Sequence, residues 1–164
     1  PLVLFAGEYW RPEKCFDSVE RAMALVRQEL PEAELVLLTG KPHGVVPAYM
    51  SACDALVLAS RTEGSPMVIK EAMASNLPIV SVRVGDVVEI IGDTPGCALA
   101  ERDPADIARK LVAILRAPRR TGGRARIAHL GHDRIARRVL EVYRRAAGPR
   151  HPAPRRAIEQ GEGR

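Results

Sequence analysis

The sequence predicts an α/β fold in which a parallel sheet carries helices on both faces. Three observations support this prediction. Five short apolar runs recur along the 164 residues, and most are continuous rather than alternating, which is typical of strands buried on both faces. Segments with apolar residues at helical spacing separate the runs, as in βαβ units. Apolar residues make up 46% of the chain and aromatic residues 4%, so Leu, Val, Ile and Ala should fill the core.

The predicted strands are the five apolar runs. Each has four or five residues and ends where glycine or polar residues begin. In chain order they span residues 2–6, 35–39, 55–59, 78–82 and 97–100.

Six helices are predicted from the 3.6-residue spacing of apolar positions and from helix-start signals. Ser65 and Pro66 indicate an N-cap followed by proline at the first helical position, and Asp103-Pro104 has the same form. The last helix places Ile135 and Val139 on one face. The helices span residues 16–30, 45–53, 66–75, 86–91, 104–116 and 133–147.

Residues 1–147 are predicted to form one domain, and residues 148–164, rich in Pro, Gly and Arg, a disordered tail. The net charge of +5 is uneven, because residues 117–156 contain twelve arginines and two acids. An anionic membrane surface is therefore a candidate partner of the Arg-rich C-terminal region. Nucleic acid is not expected, because these arginines surround an amphipathic helix with few aromatic residues.

Residues 63–71 carry the most informative polar pattern. In an open parallel sheet, ligands bind beyond the carboxyl ends of the strands. A glycine turn onto a helix start there would present free N–H groups to a phosphate or to sugar hydroxyls. Glu63 and Glu71 could accept hydrogen bonds from a hexose and a ribose, with Arg11 and Lys14 against a diphosphate. In the alternative interpretation, Ser65 only starts a helix and the charged residues are solvated. The candidate donor-binding stretch is Gly64, Ser65, Pro66, Met67 and Val68. All of these residues except Pro66 have a backbone N–H to donate.

Metal and redox sites are not indicated. The three cysteines, Cys15, Cys53 and Cys97, are widely spaced, which suggests free thiols in a reducing cytoplasm. His129 and His132 could share a helix face, but no third ligand is evident.

Several segments resemble one known family. Glu63 and Glu71, in EGSPMVIKEAMASNLPIVS, resemble the Glu-x7-Glu signature of retaining glycosyltransferases of family 4. Four further segments resemble strands and helices of the family and occur in the same order, so the resemblance extends over residues 2–147. They are FAGEYWRPEKCFDSVERAM, ACDALVLASRTEGSP, DPADIARKLVAIL and HDRIARRVLEVYRRA.

The resemblance implies a GT-B fold, in which two Rossmann-like domains face each other, with this chain as the C-terminal nucleotide-sugar-binding domain. It assigns Glu63 to the transferred sugar, Glu71 to the ribose, and Arg11 and Lys14 to the diphosphate. It implies no metal or other cofactor. Glu8 stands where the family has arginine, so Arg11 is the candidate replacement. The site for the nucleotide base is assigned only to a region of the chain, the residues Thr39, Gly40 and Lys41.

The predicted function is therefore donor binding for a retaining glycosyltransferase that transfers a hexose from a nucleotide sugar. The acceptor domain is expected to be missing, so the isolated chain should be inactive. The expected location is cytoplasmic or peripheral to the inner face of the membrane. A non-catalytic nucleotide-binding module of the same fold is the alternative, and the base, sugar and acceptor stay open. A dinucleotide-dependent oxidoreductase is disfavoured, because no Gly-x-Gly-x-x-Gly follows the first strand.

Overall fold

The computed structural model describes residues 1–148 and confirms the predicted α/β fold. Five parallel strands form one sheet in the order β2-β1-β3-β4-β5. The strand predicted at 35–39 is shifted by one residue, the one predicted at 55–59 ends one residue earlier, and the one predicted at 78–82 begins one residue later. Pro78 has no N–H for the sheet and precedes β4, although its carbonyl oxygen accepts a hydrogen bond from Leu56 N at 2.8 Å. The strands are β1 Leu2–Ala6, β2 Glu34–Leu38, β3 Ala55–Leu58, β4 Ile79–Val82 and β5 Cys97–Ala100.

The helices form where the sequence predicts them, and each observed end lies within two residues of the predicted one. The short helix α6 was not predicted, because its sequence, GRAR, has no apolar period. Gly123 is buried there, and an added Cβ would lie 2.8 Å from the carbonyl oxygen of Met73. The helices are α1 Phe16–Glu29, α2 Val46–Ala52, α3 Met67–Ala74, α4 Val87–Ile91, α5 Pro104–Leu115, α6 Gly123–Arg126 and α7 His132–Ala147, with 3-10 turns at Pro12–Lys14, His43–Val45 and Ala128–Leu130.

The core lies on both sides of the sheet. Every residue of β3 and β4 is buried, which explains their continuous apolar sequences. Helices α1 and α5 contact each other, and α3 contacts α2, α4 and α6. Strand β2 lies on one side of β1, and strands β3, β4 and β5 lie on the other side. Right-handed crossovers therefore place these two groups of helices on opposite faces of the sheet. The loops at the carboxyl ends of the strands consequently meet at one edge.

The chain forms two compact units, Pro1–Ala128 and a second that begins at His129. The first contains the sheet and α1–α6, and the described part of the second contains α7. The domain boundary at residue 147 stays a prediction, and the expected tail falls outside the described residues apart from Gly148. No helix within residues 1–148 combines the length and apolar character needed to cross a bilayer.

Candidate functional site

The carboxyl edge of the sheet brings Lys14 and Glu63 together across 49 residues of sequence. Lys14 Nζ donates to Glu63 Oε1 at 2.7 Å, and the two side chains are only 20% and 17% exposed. A second bond joins the same loops, since Arg61 N donates to the carbonyl oxygen of Glu13 at 2.7 Å. An ammonium group and a carboxylate are thus fixed at one point beside the helix start.

Lys14 reaches this position because of two backbone features of the β1–α1 loop. Gly7 has φ +145°, and a Cβ there would lie 3.7 Å from Lys14 Cε. The 3-10 turn at Pro12–Lys14 ends at Cys15, whose φ of 50° lies in the left-handed region. Lys14 therefore points back over the end of β1 toward the β3–α3 loop.

Arg11 lies in the same loop but has different surroundings. Its guanidinium is half exposed and bonds to Glu8 at 3.2 Å and, through Nε, to Glu13 at 2.6 Å. The bond with Glu13, followed by the bond with Glu8, raises the pKa of Arg11 above its ordinary value. The pKa of Glu13 is lowered, first by its own backbone N–H and then by Arg11. The sequence did not predict that two carboxylates would already partner this arginine.

The start of α3 differs by one residue from the prediction. Pro66 has extended backbone angles and occupies the N-cap position, so the helix begins at Met67. Ser65 does not cap the helix because its side chain is turned elsewhere. It bonds to Asp86 Oδ2 and accepts a hydrogen bond from Lys70 Nζ at 2.5 Å. By position, the N–H groups of Met67 and Val68 have no intrahelical acceptor.

The loop carrying Glu63 is packed tightly against the β4–α4 loop. Asp86 N donates to the carbonyl oxygen of Gly64 at 3.2 Å. Gly85 has φ +52°, and a Cβ there would lie 2.3 Å from that same oxygen. Only glycine allows so close an approach. Lys70 is thus a part of this region that the sequence did not place there, whereas Asp86 was expected at this edge because it follows the fourth predicted strand.

Glu71 lies on the second turn of α3, in a different local environment. Its side chain is 24% exposed, and Oε1 is 3.6 Å from Nδ1 of His43, which follows β2. A pocket of about 130 Å³ lies beside this pair and is lined mainly by apolar side chains. Its lining residues are His43, Val46, Pro47, Met50, Glu71, Ala74 and Ser75.

The base-site candidates Gly40 and Lys41 do not line this pocket, and both are exposed. Gly40 follows Thr39, whose hydroxyl donates to the carbonyl oxygen of Gly7 and so links the β2–α2 and β1–α1 loops. Gly40 has φ +61°, which favours glycine at this turn. His43 is therefore the residue of the β2–α2 connection that the structure brings to Glu71. Its place after a predicted strand is the sequence signal that could have identified it.

No group of three or more His, Cys, Asp or Glu side chains within residues 1–148 is arranged to hold a metal ion.

Comparison with known proteins gives a consistent picture. The family model described as glycosyl transferases group 1 matches residues 38–117. A glycosyltransferase of Methanocaldococcus jannaschii is 36% identical over 103 residues, covering 62% of this chain and 28% of the relative. A D-inositol 3-phosphate glycosyltransferase of Salinispora arenicola is 32% identical over an alignment of 191 positions, covering 92% of this chain and 42% of the relative.

Solved structures share the fold. Sucrose-phosphate synthase from Thermosynechococcus elongatus superposes with a TM-score of 0.77 at 24% identity, covering 90% of this chain and 46% of that one. Anabaena HepE, solved with UDP and glucose, gives a TM-score of 0.64 at 17% identity, with 86% and 47% covered. The chain spans less than half the length of these relatives. Together the comparisons show that the chain is similar to group 1 glycosyl transferases over residues 38–117 and shares the fold of these solved structures.

Proposed function

We propose that this chain is the donor-binding, C-terminal part of a retaining hexosyltransferase of family 4. The similarity to group 1 glycosyl transferases supports this proposal. The ligand of the chain would be a nucleotide-diphosphate sugar bound at the carboxyl edge of the sheet. The observation that carries the proposal is the Lys14–Glu63 pair, because it combines a cation for phosphate with an acceptor for sugar hydroxyls.

Lys14 and the first turn of α3 are the proposed diphosphate site. An ammonium group and free N–H groups both stabilise negative charge, and the helix dipole adds to the effect. As the bond to the sugar breaks, negative charge grows on the departing diphosphate, so these donors would lower the barrier electrostatically. Gly64 and Ser65 supply the remaining candidate amides. Arg11 could contribute only by exchanging Glu8 or Glu13 for phosphate oxygens.

Glu63 is proposed to bind the transferred hexose. A carboxylate accepts two hydrogen bonds from neighbouring hydroxyls, and the bond from Lys14 fixes its orientation before the sugar arrives. Phosphate binding to Lys14 and sugar binding to Glu63 would therefore affect each other through this shared hydrogen bond.

Glu71 is proposed to bind the ribose, with the base nearby. The pocket beside Glu71 has apolar walls from Val46, Pro47 and Met50, which suit the face of a flat ring. His43 stands at its rim with its side chain 86% exposed, so it is free to stack on a base. This pocket replaces Gly40 and Lys41 as our preferred base site.

The proposed reaction needs a second wall that this chain does not supply. The relatives are more than twice as long as the parts matched here, so we assign the acceptor site to another part of the protein. The isolated chain should bind nucleotide without transferring sugar. We expect no cofactor, and the three free thiols agree with a reducing compartment such as the cytoplasm.

Thermal unfolding with UDP, GDP and ADP, each with and without an attached sugar, tests the proposal. Binding to the native state should raise the midpoint for at least one nucleotide. Glu71→Ala should remove that response, while the matched control Glu20→Ala, an exposed acid on α1, should leave it unchanged. No response to any nucleotide at millimolar concentration would refute donor binding. A response to nucleotides with none to their sugars would favour the non-catalytic module instead.

A further inference from the structure

The segment 118–127, which we call the arginine strap, bonds to the carboxyl-terminal ends of three helices. The last carbonyl groups of a helix have no intrahelical donor, and they attract positive charge. Arg120 supplies donors to α2, because its Nη1 donates to the carbonyl oxygen of Met50 at 2.9 Å and its Nη2 donates to that of Ser51. The two bonds from one guanidinium fix the end of this short helix relative to the strap.

Arg124 and Arg126 do the same for the next two helices along the chain. Nε of Arg124 donates to the carbonyl oxygen of Ala74, the last residue of α3, at 2.6 Å. Nε and Nη2 of Arg126 donate to the carbonyl oxygens of Ile90 and Glu89 in α4, each at 3.0 Å. Three arginines of one short segment therefore hold the ends of α2, α3 and α4.

The strap is itself anchored to the end of α3. Thr121 and Gly123 are buried, and the backbone of Gly123 lies directly against Met73. Asn76, which follows α3 with a left-handed φ of 53°, accepts two more bonds. Its carbonyl oxygen accepts from Thr121 N at 2.8 Å, and its Oδ1 accepts from Arg124 N at 2.9 Å. All of these contacts lie within the compact unit that contains the sheet, and none of them requires a free surface.

Two of the arginine bonds reach the walls of the pocket beside Glu71. Met50 and Ala74, whose carbonyl oxygens are bound by Arg120 and Arg124, both line that pocket. Its lining comes from α2, α3 and the turn before α2, so its width depends on the distance between the two helices. No residue of the strap lines the pocket. The strap therefore holds the two walls from behind.

We propose that Arg120 and Arg124 are positioning residues that set the base selectivity of the nucleotide site. By holding α2 and α3 at one separation, they keep the apolar walls at the spacing that accepts one size of flat ring. The inference rests on the proposed function, since it concerns the pocket that we assign to the base. It gives two arginines of the basic region 117–156 a role within the fold.

Titration calorimetry of the full chain with UDP, GDP and ADP tests the inference. One of the three nucleotides should bind the parent protein most tightly. Arg120→Gln and Arg124→Gln, each made alone, should weaken that nucleotide about fivefold and bring its affinity nearer to those of the other two. A general loss of stability would not change the ratio of affinities measured well below the unfolding midpoint, so this ratio reports on positioning.

Arg126→Gln is the matched control. It removes bonds of the same kind from the same strap, but α4 contributes no residue to the lining of the pocket. Both the affinities and their ratio should stay unchanged in this variant.

Asn76→Gly is a milder variant that tests the anchor of the strap if either substitution at Arg120 or Arg124 prevents folding. Glycine keeps the left-handed turn without strain, and the bond from Arg124 N to Oδ1 is lost. The affinity for the preferred nucleotide should fall about twofold, with the same change in selectivity. Circular dichroism and urea denaturation show whether each variant remains folded.

Three outcomes would overturn the inference. Unchanged affinity and selectivity in the variants of Arg120, Arg124 and Asn76 that fold, with nucleotide binding by the parent, would reject it and leave the proposed function standing. An equal change in Arg126→Gln would show that the strap acts through overall stability rather than through the pocket. No nucleotide binding by the parent would refute the base pocket, and with it both proposals.

Discussion

The two carboxylates Glu63 and Glu71 are eight positions apart, yet they are held in different ways. Glu63 lies on a loop, bonds to Lys14 at 2.7 Å, and depends on a neighbouring loop packed against it. Glu71 lies within α3, faces a largely apolar pocket, and has its Oε1 3.6 Å from Nδ1 of His43. The position of Glu71 follows from its helix, whereas that of Glu63 follows from contacts distant in sequence. Substitutions should therefore affect the two regions unequally.

The largest effect is expected from Gly85→Ala, which acts on the loop of Glu63. A left-handed conformation costs a non-glycine residue about 2 kcal/mol. The added Cβ would also meet the carbonyl oxygen of Gly64 at 2.3 Å, so the two loops must separate. We expect a fall in the free energy of unfolding of at least that amount, measured by urea denaturation.

Gly44→Ala is the matched control for this substitution. Gly44 lies in the β2–α2 connection, near the region of Glu71, and nothing lies within 4 Å of an added Cβ. Its stability should change by less than about 0.5 kcal/mol. Equal losses for the two variants would show that the Glu63 loop is no more constrained than its counterpart near Glu71.

A smaller effect, on ligand affinity, should separate the roles of the two carboxylates. If Glu71 contacts the ribose, Glu71→Ala should weaken binding of UDP and of its sugar conjugate alike, by about tenfold or about 1.4 kcal/mol. Glu63→Ala should weaken the sugar conjugate more than UDP, because it removes a sugar contact and also changes the hydrogen bonding of Lys14 in both complexes. Titration calorimetry with both ligands measures this difference, using whichever base gives the largest thermal shift. An equal loss for UDP and for its sugar conjugate in the Glu63 variant would contradict separate roles.

The smallest expected difference concerns the partners of the two acids. Lys14→Met leaves a largely buried carboxylate without its charged partner and should cost about 1 kcal/mol. His43→Ala removes an exposed ring beyond ideal hydrogen-bond distance of Glu71 and should cost less than about 0.5 kcal/mol. Thermal denaturation of the two variants at neutral pH, without nucleotide, compares them. A larger loss for His43→Ala would show that Glu71 depends on its partner more than Glu63 does.

Strand and helix positions were predictable wherever local sequence dominates. The apolar runs identified all five strands, and β4 begins one residue later than predicted because Pro78 has no N–H. The prediction failed at Ser65, where a residue typical of an N-cap instead bonds to Asp86 and Lys70. The local preference of serine for capping was overridden by partners that the fold brings near. Helix α6 was missed for a related reason, since Gly123 is selected by the close backbone of Met73.

The sequence by itself determined the α/β class, the strand edge at which polar residues collect, and the spacing that places Glu71 on a helix and Glu63 before it. These follow from the periodicity of apolar residues and from the chemistry of helix starts, which act over a few positions. Only the tertiary structure decided that Lys14 pairs with Glu63 and that His43 approaches Glu71. It also decided that Arg11 forms ion pairs with Glu8 and Glu13. Such pairings depend on which loops the parallel sheet brings to a common edge, and that arrangement is set by strand order rather than by local sequence.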